Sequence, residues 1–153
     1  MANTYTQIYI HIVFAVSARA CVIRPERKEE LQKYITGIVR HRKQKLIAIN
    51  CMPDHSHILI GIRPDQSVSE LVGKIKTGST NYINKQRWIG CQFSWQERFG
   101  AFSVSQSHLS IVINYIRNQE RHHRRKTFYD EYLEFLQRHE IPFDERYVLK
   151  AVD

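Results

Sequence analysis

The feature that most constrains the fold is a two-residue alternation of apolar side chains near the start of the chain. It predicts a first β-strand from about Tyr5 to Val16 with one face in a core. The apolar face is made of Ile8, Ile10, Ile12, Phe14 and Val16. The segments KLIAIN and HSHILIGI, joined by the turn CMPD, predict two more strands. Strands connected this closely indicate an antiparallel sheet.

Two helical patterns interrupt these strands. The first begins at Pro25, with acidic residues early and basic residues late, as the helix dipole favours. The second runs from Val68 to about Lys85 and opens with Ser67 and Glu70 at the spacing of a capping box.

The last third of the chain continues this alternation of elements. Residues 91–105 predict a strand or hairpin, Gln106 to His122 a third helix, and Tyr129 to Arg138 a helical tail. A short closing strand is expected in residues 144–150. The order β-α-β-β-α-β-α predicts one α+β domain over residues 1–153, ferredoxin-like or RRM-like, with helices mainly on one face of an antiparallel sheet.

The charge balance points to polyanionic partners. The chain has 23 Lys and Arg against 15 Asp and Glu, a net charge of +8, and nucleic acid is the commonest partner of a small basic protein. Three separated cysteines without a C-x-x-C pair argue against a zinc finger or a disulfide framework and suit a reducing compartment. The first residues lack a signal-peptide pattern, so the expected location is cytoplasmic.

His55 and His57 are two residues apart in a predicted strand, so both side chains project to one side. Two imidazoles placed in this way are able to bind one divalent metal ion, although an H-x-H pair is as compatible with structural histidines. A two-histidine phosphoesterase would need a second H-x-S or H-x-T element, which the sequence lacks. His11 could face the same side of the sheet, where a buried, hydrogen-bonded role is the simpler interpretation.

Tyr115 and Gln119 lie one turn apart on the predicted third helix. The phenol is a potential nucleophile and the amide oxygen a hard ligand suited to Mg²⁺ or Mn²⁺, whereas a packing role would explain the tyrosine equally well. Asn118 and Glu120 remain alternatives to Gln119 as a ligand. Candidate phosphate-binding cations follow on this helix and occur on the second helix: Arg121, Arg124, Arg125, Lys74 and Lys76.

Six stretches together resemble the single-tyrosine HUH transposases of bacterial and archaeal insertion sequences, including the REP-associated tyrosine transposases. They are YIHIVFAV, NCMPDHSHILI, VSELVGKIKTGST, FSWQERFGAFSVS, VINYIRNQERHH and IPFDERYVLK, and they occur in the order seen in that family. One departure is Ser56, where the family usually has a bulky hydrophobic residue. Because this side chain points away from the histidines, the departure concerns packing more than catalysis.

The resemblance implies a mechanism and a set of partners. His55 and His57 would hold Mg²⁺ or Mn²⁺ with Gln119 as third protein ligand, and Tyr115 would attack single-stranded DNA to form a 5′-phosphotyrosine. It also implies a homodimer, often with the histidines of one subunit facing the tyrosine helix of the other, and recognition of DNA hairpins at element ends. The stretch RFGAFSVS would then be the hinge that allows the exchange.

Two other functional classes stay open. A non-catalytic, domesticated protein would bind hairpin DNA or RNA with the same basic surface and would not cleave it. A metal-dependent hydrolase would release its product without a covalent step and would tolerate the loss of the Tyr115 hydroxyl.

Overall fold

A computed structural model describes residues 4–18, 22–144, 146 and 148. Four antiparallel strands form one sheet in the order β2-β3-β1-β4. Their bounds are Tyr9–Ala15 (β1), Lys45–Cys51 (β2), His55–Gly61 (β3) and Gly100–Val104 (β4). The first strand therefore lies in the centre of the sheet, beside the strand that carries both histidines.

Five α-helices accompany the sheet in the described ranges. They are Lys28–His41 (α1), Val68–Gln86 (α2), Leu109–Arg117 (α3), Gln119–His122 (α4) and Phe128–Arg138 (α5), with short 3-10 turns at Pro25–Arg27 and Gln106–His108. The main chain N–H of Glu70 donates to Oγ of Ser67 at 3.1 Å, which confirms the predicted cap of α2. The α+β architecture with an antiparallel sheet is confirmed.

The two long helices, α1 and α2, cover one face of the sheet. Ile12, Phe14 and Ile58 point into this layer and are fully buried against them. Gly78 has a packing role here, because a Cβ on it would lie 2.8 Å from Cδ1 of Ile38 on α1. The glycine inside α2 therefore leaves room for the Ile38 side chain of α1.

The opposite face is covered by α3 and α5, so helices occupy both faces of the sheet, where the sequence predicted mainly one. Val13, Ala15 and Phe102 pack against α5, and Leu59 packs against Ile116 of α3. The apolar side of α3 faces the same layer, since Leu109, Val112 and Ile113 adjoin this cluster. Both histidines of β3 face this second layer, between the strand and the two helices.

The structure differs from the sequence-based expectations at several boundaries. Residues 91–105 hold one strand, β4, which pairs with β1 along its length, so RFGAFSVS enters the sheet instead of forming a free hinge. The predicted third helix is divided at Asn118 (φ −100°, ψ 23°) into α3 and α4. The closing strand expected in residues 144–150 falls mostly outside the described residues.

Two further findings concern the cysteines and the helices. Cys51 is a buried free thiol, whereas Cys91 is disulfide-bonded. None of the helices described is both long and apolar enough to cross a bilayer.

Candidate metal and nucleophile site

Strand β3 presents His55 and His57 side by side in the layer beneath α3 and α5. Both side chains are buried, with 1% and 0% of their surface exposed, and their ring centroids are 5.1 Å apart. Ser56 between them points into the opposite core, beside Cys51 in the sheet register. The alternation of the strand thus gives the histidine pair its own face, as the sequence predicts.

Glu131 of α5 is the carboxylate around which the site is organised. Its Oε1 lies 3.1 Å from Nε2 of His57 and 3.8 Å from Nε2 of His55. Nε2 of His123, just after α4, lies 3.2 Å from the same oxygen. Three imidazoles from two parts of the chain thus converge on one buried carboxylate.

Gln119 opens α4 and is fully buried at the same point. Its Oε1 lies 3.2 Å from Nε2 of His55 and 2.9 Å from Nε2 of His123, and its Nε2 donates to Oε2 of Glu131 at 3.2 Å. The amide oxygen therefore faces the histidine pair. This placement brings Gln119, and not the exposed Asn118 or Glu120, into the site.

The hydroxyl of Tyr115, on α3, donates a hydrogen bond to Oε2 of Glu131. Its ring packs at right angles to His57 at 5.9 Å and stacks on His122 at 4.7 Å. Tyr115 and the histidine pair are therefore brought together within a single chain, with Glu131 between them.

Burial and hydrogen bonding set the protonation of these groups. Burial lowers the pKa of His57 to about 4, although its hydrogen bond to Glu131 opposes the shift. Burial alone would raise the pKa of Glu131, but hydrogen bonds from His123 and His57 outweigh it and hold that pKa well below its usual range. Burial and the bond to Glu131 raise the pKa of Tyr115 well above its ordinary value. At neutral pH, His57 is neutral, Glu131 is ionised and Tyr115 is protonated.

These side chains fit a divalent cation. One ligand atom from each of His55, His57, His123 and Glu131 lies within 4.8 Å of the others. Ligands held about 2.1 Å from a cation at right angles to each other are about 3 Å apart. The separation of His55 Nε2 from Gln119 Oε1 is 3.2 Å and that of His57 Nε2 from Glu131 Oε1 is 3.1 Å, so both pairs match this spacing.

The ring nitrogens that face away from this point have partners of their own. Nδ1 of His55 lies 2.7 Å from Oδ1 of Asp54, and Nδ1 of His57 lies 2.9 Å from Nε2 of His11. Each histidine of the pair is therefore held at its far nitrogen, which leaves Nε2 directed at the centre of the site.

A cleft of about 770 Å³ opens beside Tyr115. Its cationic lining residues are Arg121, Arg124, Arg125, Lys126 and Arg138. The three arginines predicted from the sequence to bind phosphate thus line the same cleft as the tyrosine. Positive charge on low-dielectric walls attracts a polyanion to this opening.

The two lysines predicted on α2 are placed differently from the arginines. Lys74 is exposed on the helix layer behind the sheet. Lys76 is half-buried, and its Nζ donates to the carbonyls of Gln96, Glu97 and Arg98 at 2.6, 3.0 and 3.0 Å. Burial lowers its pKa to about 8. Lys76 therefore holds the segment before β4 in place.

The structure brings together all four residues singled out from the sequence for the site, His55, His57, Tyr115 and Gln119. Sequence reasoning missed His123, Asp54 and Glu131. His123 follows Gln119 by four residues, a spacing that indicates a shared helix side. Glu131 stands among Phe128, Tyr132 and Phe135 on the apolar side of α5, and an acid in such a position signals a buried carboxylate.

Comparison with known proteins identifies similar sequences. A family model described as IS200-like transposase matches residues 4–119. The ISDra2 transposase TnpA of Deinococcus radiodurans is 23% identical over 120 residues, which cover 74% of this chain and 84% of that protein. The transposase for insertion sequence element IS200 of Salmonella typhimurium is 24% identical over 98 residues, and the match spans 64% of each protein.

Two solved structures share the fold. The crystal structure of a candidate transposase from Deinococcus radiodurans R1 superimposes with a TM-score of 0.60 at 23% identity, over 78% of this chain and 95% of that chain. The structure of a REP-associated tyrosine transposase bound to a REP hairpin gives a TM-score of 0.62 at 18% identity, over 80% of this chain and 73% of that chain.

Proposed function

The chain belongs to the IS200-like transposase family, and on that premise we propose that it nicks and rejoins single-stranded DNA at hairpin-bearing element ends through a covalent bond to Tyr115. The observation that carries the proposal is the convergence of Tyr115, Gln119 and the histidine pair on Glu131 in one chain. These are the groups needed for attack on a phosphate beside a bound cation.

We assign the metal ligands as His55, His57 and Gln119, with Mg²⁺ or Mn²⁺ as the cation. The neutral state of His57 leaves a lone pair for coordination. Glu131 adds the negative charge that a divalent cation requires, and Asp54 fixes the ring of His55. The chemistry supplied by such a cation is Lewis-acid polarisation of a phosphate oxygen.

Tyr115 is the proposed nucleophile. As its Oη bonds to phosphorus, the P–O bond to the 3′-oxygen breaks, which leaves a 5′-phosphotyrosine and a 3′-hydroxyl that takes its proton from solvent. Because Tyr115 is protonated at rest, its proton must leave during the attack, and Glu131 already accepts that hydrogen bond. The phosphotyrosine retains the energy of the broken linkage, so rejoining to another 3′-hydroxyl needs no nucleotide cofactor.

The proposed DNA path runs along the cleft beside Tyr115. Arg121, Arg124 and Arg125 line it and are suited to bidentate contact with phosphate oxygens. Lys74 lies outside the cleft and would contact another part of the DNA. The ammonium of Lys76 donates to main-chain carbonyls, so we do not assign it to DNA binding. A hairpin partner is supported by the similar REP-associated transposase, which is bound to one.

We further propose a homodimer that acts in the cytoplasm, where DNA of a mobile element is accessible. In this structure, Tyr115 lies beside the histidine pair of its own chain. An exchange of tyrosine helices between subunits would require α3 and α4 to leave the contacts of Gln119 with His55 and Glu131.

The test is incubation with single-stranded hairpin DNA and Mn²⁺ followed by denaturing electrophoresis. We expect a protein–DNA adduct that is absent from Tyr115→Phe and is retained in Tyr34→Phe, which removes a hydroxyl from the opposite helix layer.

An adduct that persists in Tyr115→Phe would refute the assignment of Tyr115 as the nucleophile. Hairpin binding without an adduct at any Mn²⁺ concentration would identify the protein as a non-catalytic binding module. Cleavage without an adduct would identify a hydrolase.

A further inference from the structure

His11 is a buried histidine outside the proposed ligand set. It lies on β1 with 2% of its surface exposed, and its Nε2 is 2.9 Å from Nδ1 of His57. The two ring centroids are 5.1 Å apart at an angle of 30°. Its strand pairs with β3, and the register sets Val13 opposite His57, so His11 reaches His57 from a diagonal position on the same face.

The surroundings of His11 otherwise consist largely of aromatic rings. Phe135 packs at right angles to it at 5.1 Å, Phe102 lies 6.4 Å away and Tyr115 6.5 Å away. A buried polar ring requires a hydrogen-bond partner, and here that partner is a second imidazole.

The contact with His11 leaves Nε2 of His57 facing the site, towards Glu131. A neutral imidazole carries one proton, so its two nitrogens act as one donor and one acceptor. A cation at Nε2 of His57 would leave the ring proton on Nδ1, and Nε2 of His11, 2.9 Å away, is placed to accept it. Asp54 holds His55 by the same geometry, through Nδ1.

We propose that His11 is a positioning residue that fixes the ring orientation of His57 for metal binding. The inference rests on the proposed metal site and adds a residue to it. His11 is not a ligand itself, because its Nε2 lies behind the ring of His57, at the nitrogen remote from Glu131. Partners of this kind typically change metal affinity by about 10–100-fold when they are removed.

The experiment measures Mn²⁺ affinity of the full chain without DNA, by electron paramagnetic resonance and titration calorimetry. We expect His11→Phe to bind Mn²⁺ about 10–100-fold more weakly than the wild type. His11→Gln, whose amide reaches the position of Nε2, should restore most of that affinity, whereas the shorter His11→Asn should not. Phe102→Leu is the control for a packing defect beside His11, and it should bind Mn²⁺ as the wild type does.

Each outcome decides the inference. Wild-type affinity in His11→Phe, or equal affinities in His11→Gln and His11→Asn, would overturn it while leaving the proposed metal site intact. Should His11→Phe fail to fold, the comparison of the Gln and Asn variants decides alone. A wild-type chain that binds no Mn²⁺ would overturn both this inference and the proposed metal site.

Discussion

At the scale of single residues, Glu131 links more parts of the site than any ligand proposed from the sequence. It accepts hydrogen bonds from Tyr115 on α3, Gln119 on α4 and His57 on β3, and His123 lies 3.2 Å from its Oε1. A buried carboxylate is stable only when such donors replace the lost water. Glu131 therefore stabilises the fold and the site through the same contacts.

We predict that Glu131→Gln lowers the free energy of unfolding by about 1–3 kcal/mol, because the amide cannot accept all of these hydrogen bonds. Thermal unfolding followed by circular dichroism in the presence of a chelator measures the effect. The matched control is Glu134→Gln on the same helix, which removes the exposed pair with Lys126 and should change stability by less than about 0.5 kcal/mol. Equal losses in both variants would show that the buried contacts are not stabilising.

At the scale of elements, the break between α3 and α4 determines what Gln119 contacts. The last carbonyls of a helix have no partner within it. The carbonyl of Ile116 is satisfied by Nδ2 of Asn50 on β2, at 2.8 Å. Asn50 lies opposite His57 in the register, so this bond joins the tyrosine helix to the sheet beside the proposed metal site. The chain then enters α4, with Gln119 directed at His55.

We predict that Asn50→Asp slows formation of the Tyr115 adduct at least about tenfold, because a carboxylate cannot donate to Ile116 and a nucleophile displaced by about 1 Å reacts much more slowly. Its Mn²⁺ affinity should stay near that of the wild type. The control is Asn84→Asp, which removes a similar donor to the carbonyl of Phe93 at 3.0 Å in the other layer. Similar slowing in both variants would attribute the effect to general destabilisation.

At the scale of the whole molecule, the sheet separates two layers with different tasks. The layer of α1 and α2 supplies most of the large apolar core, while the layer of α3 and α5 holds the site and its cleft. The net charge of +8 describes the chain as a whole, and the fold places five of its cations around Tyr115. Binding of single-stranded DNA there should release counterions from its phosphates.

We predict that Arg124→Ala weakens binding of a single-stranded oligonucleotide and lowers the slope of log affinity against log salt by about 0.7, the value for one lost phosphate contact. Arg40→Ala, an exposed cation of α1, carries the same charge change in the other layer and should leave the slope almost unchanged. Fluorescence anisotropy at several salt concentrations measures both. A slope that falls equally in the two variants would indicate non-specific attraction to the overall charge.

Local patterns were sufficient for much of the fold and part of the site. The strand period of two placed His55 and His57 on one face, because successive side chains of a strand alternate between its faces. The spacing of four predicted that Tyr115 and Gln119 share one helix, whereas they lie on α3 and α4, on either side of the break at Asn118. The break at Asn118 was missed, and the bond beside it, from Asn50 to the carbonyl of Ile116, joins residues that are distant in sequence.

The sequence by itself determined the elements, the family resemblance and the chemical types of the reacting groups. These follow from local periodicity and from residue identity. Only the tertiary structure decided that Glu131 lies between the tyrosine and the histidines, that His11 contacts His57 and that Lys76 binds main-chain carbonyls instead of lying free for DNA. The reason is physical: hydrogen bonding and burial depend on distances between segments far apart in the chain, which no local pattern encodes.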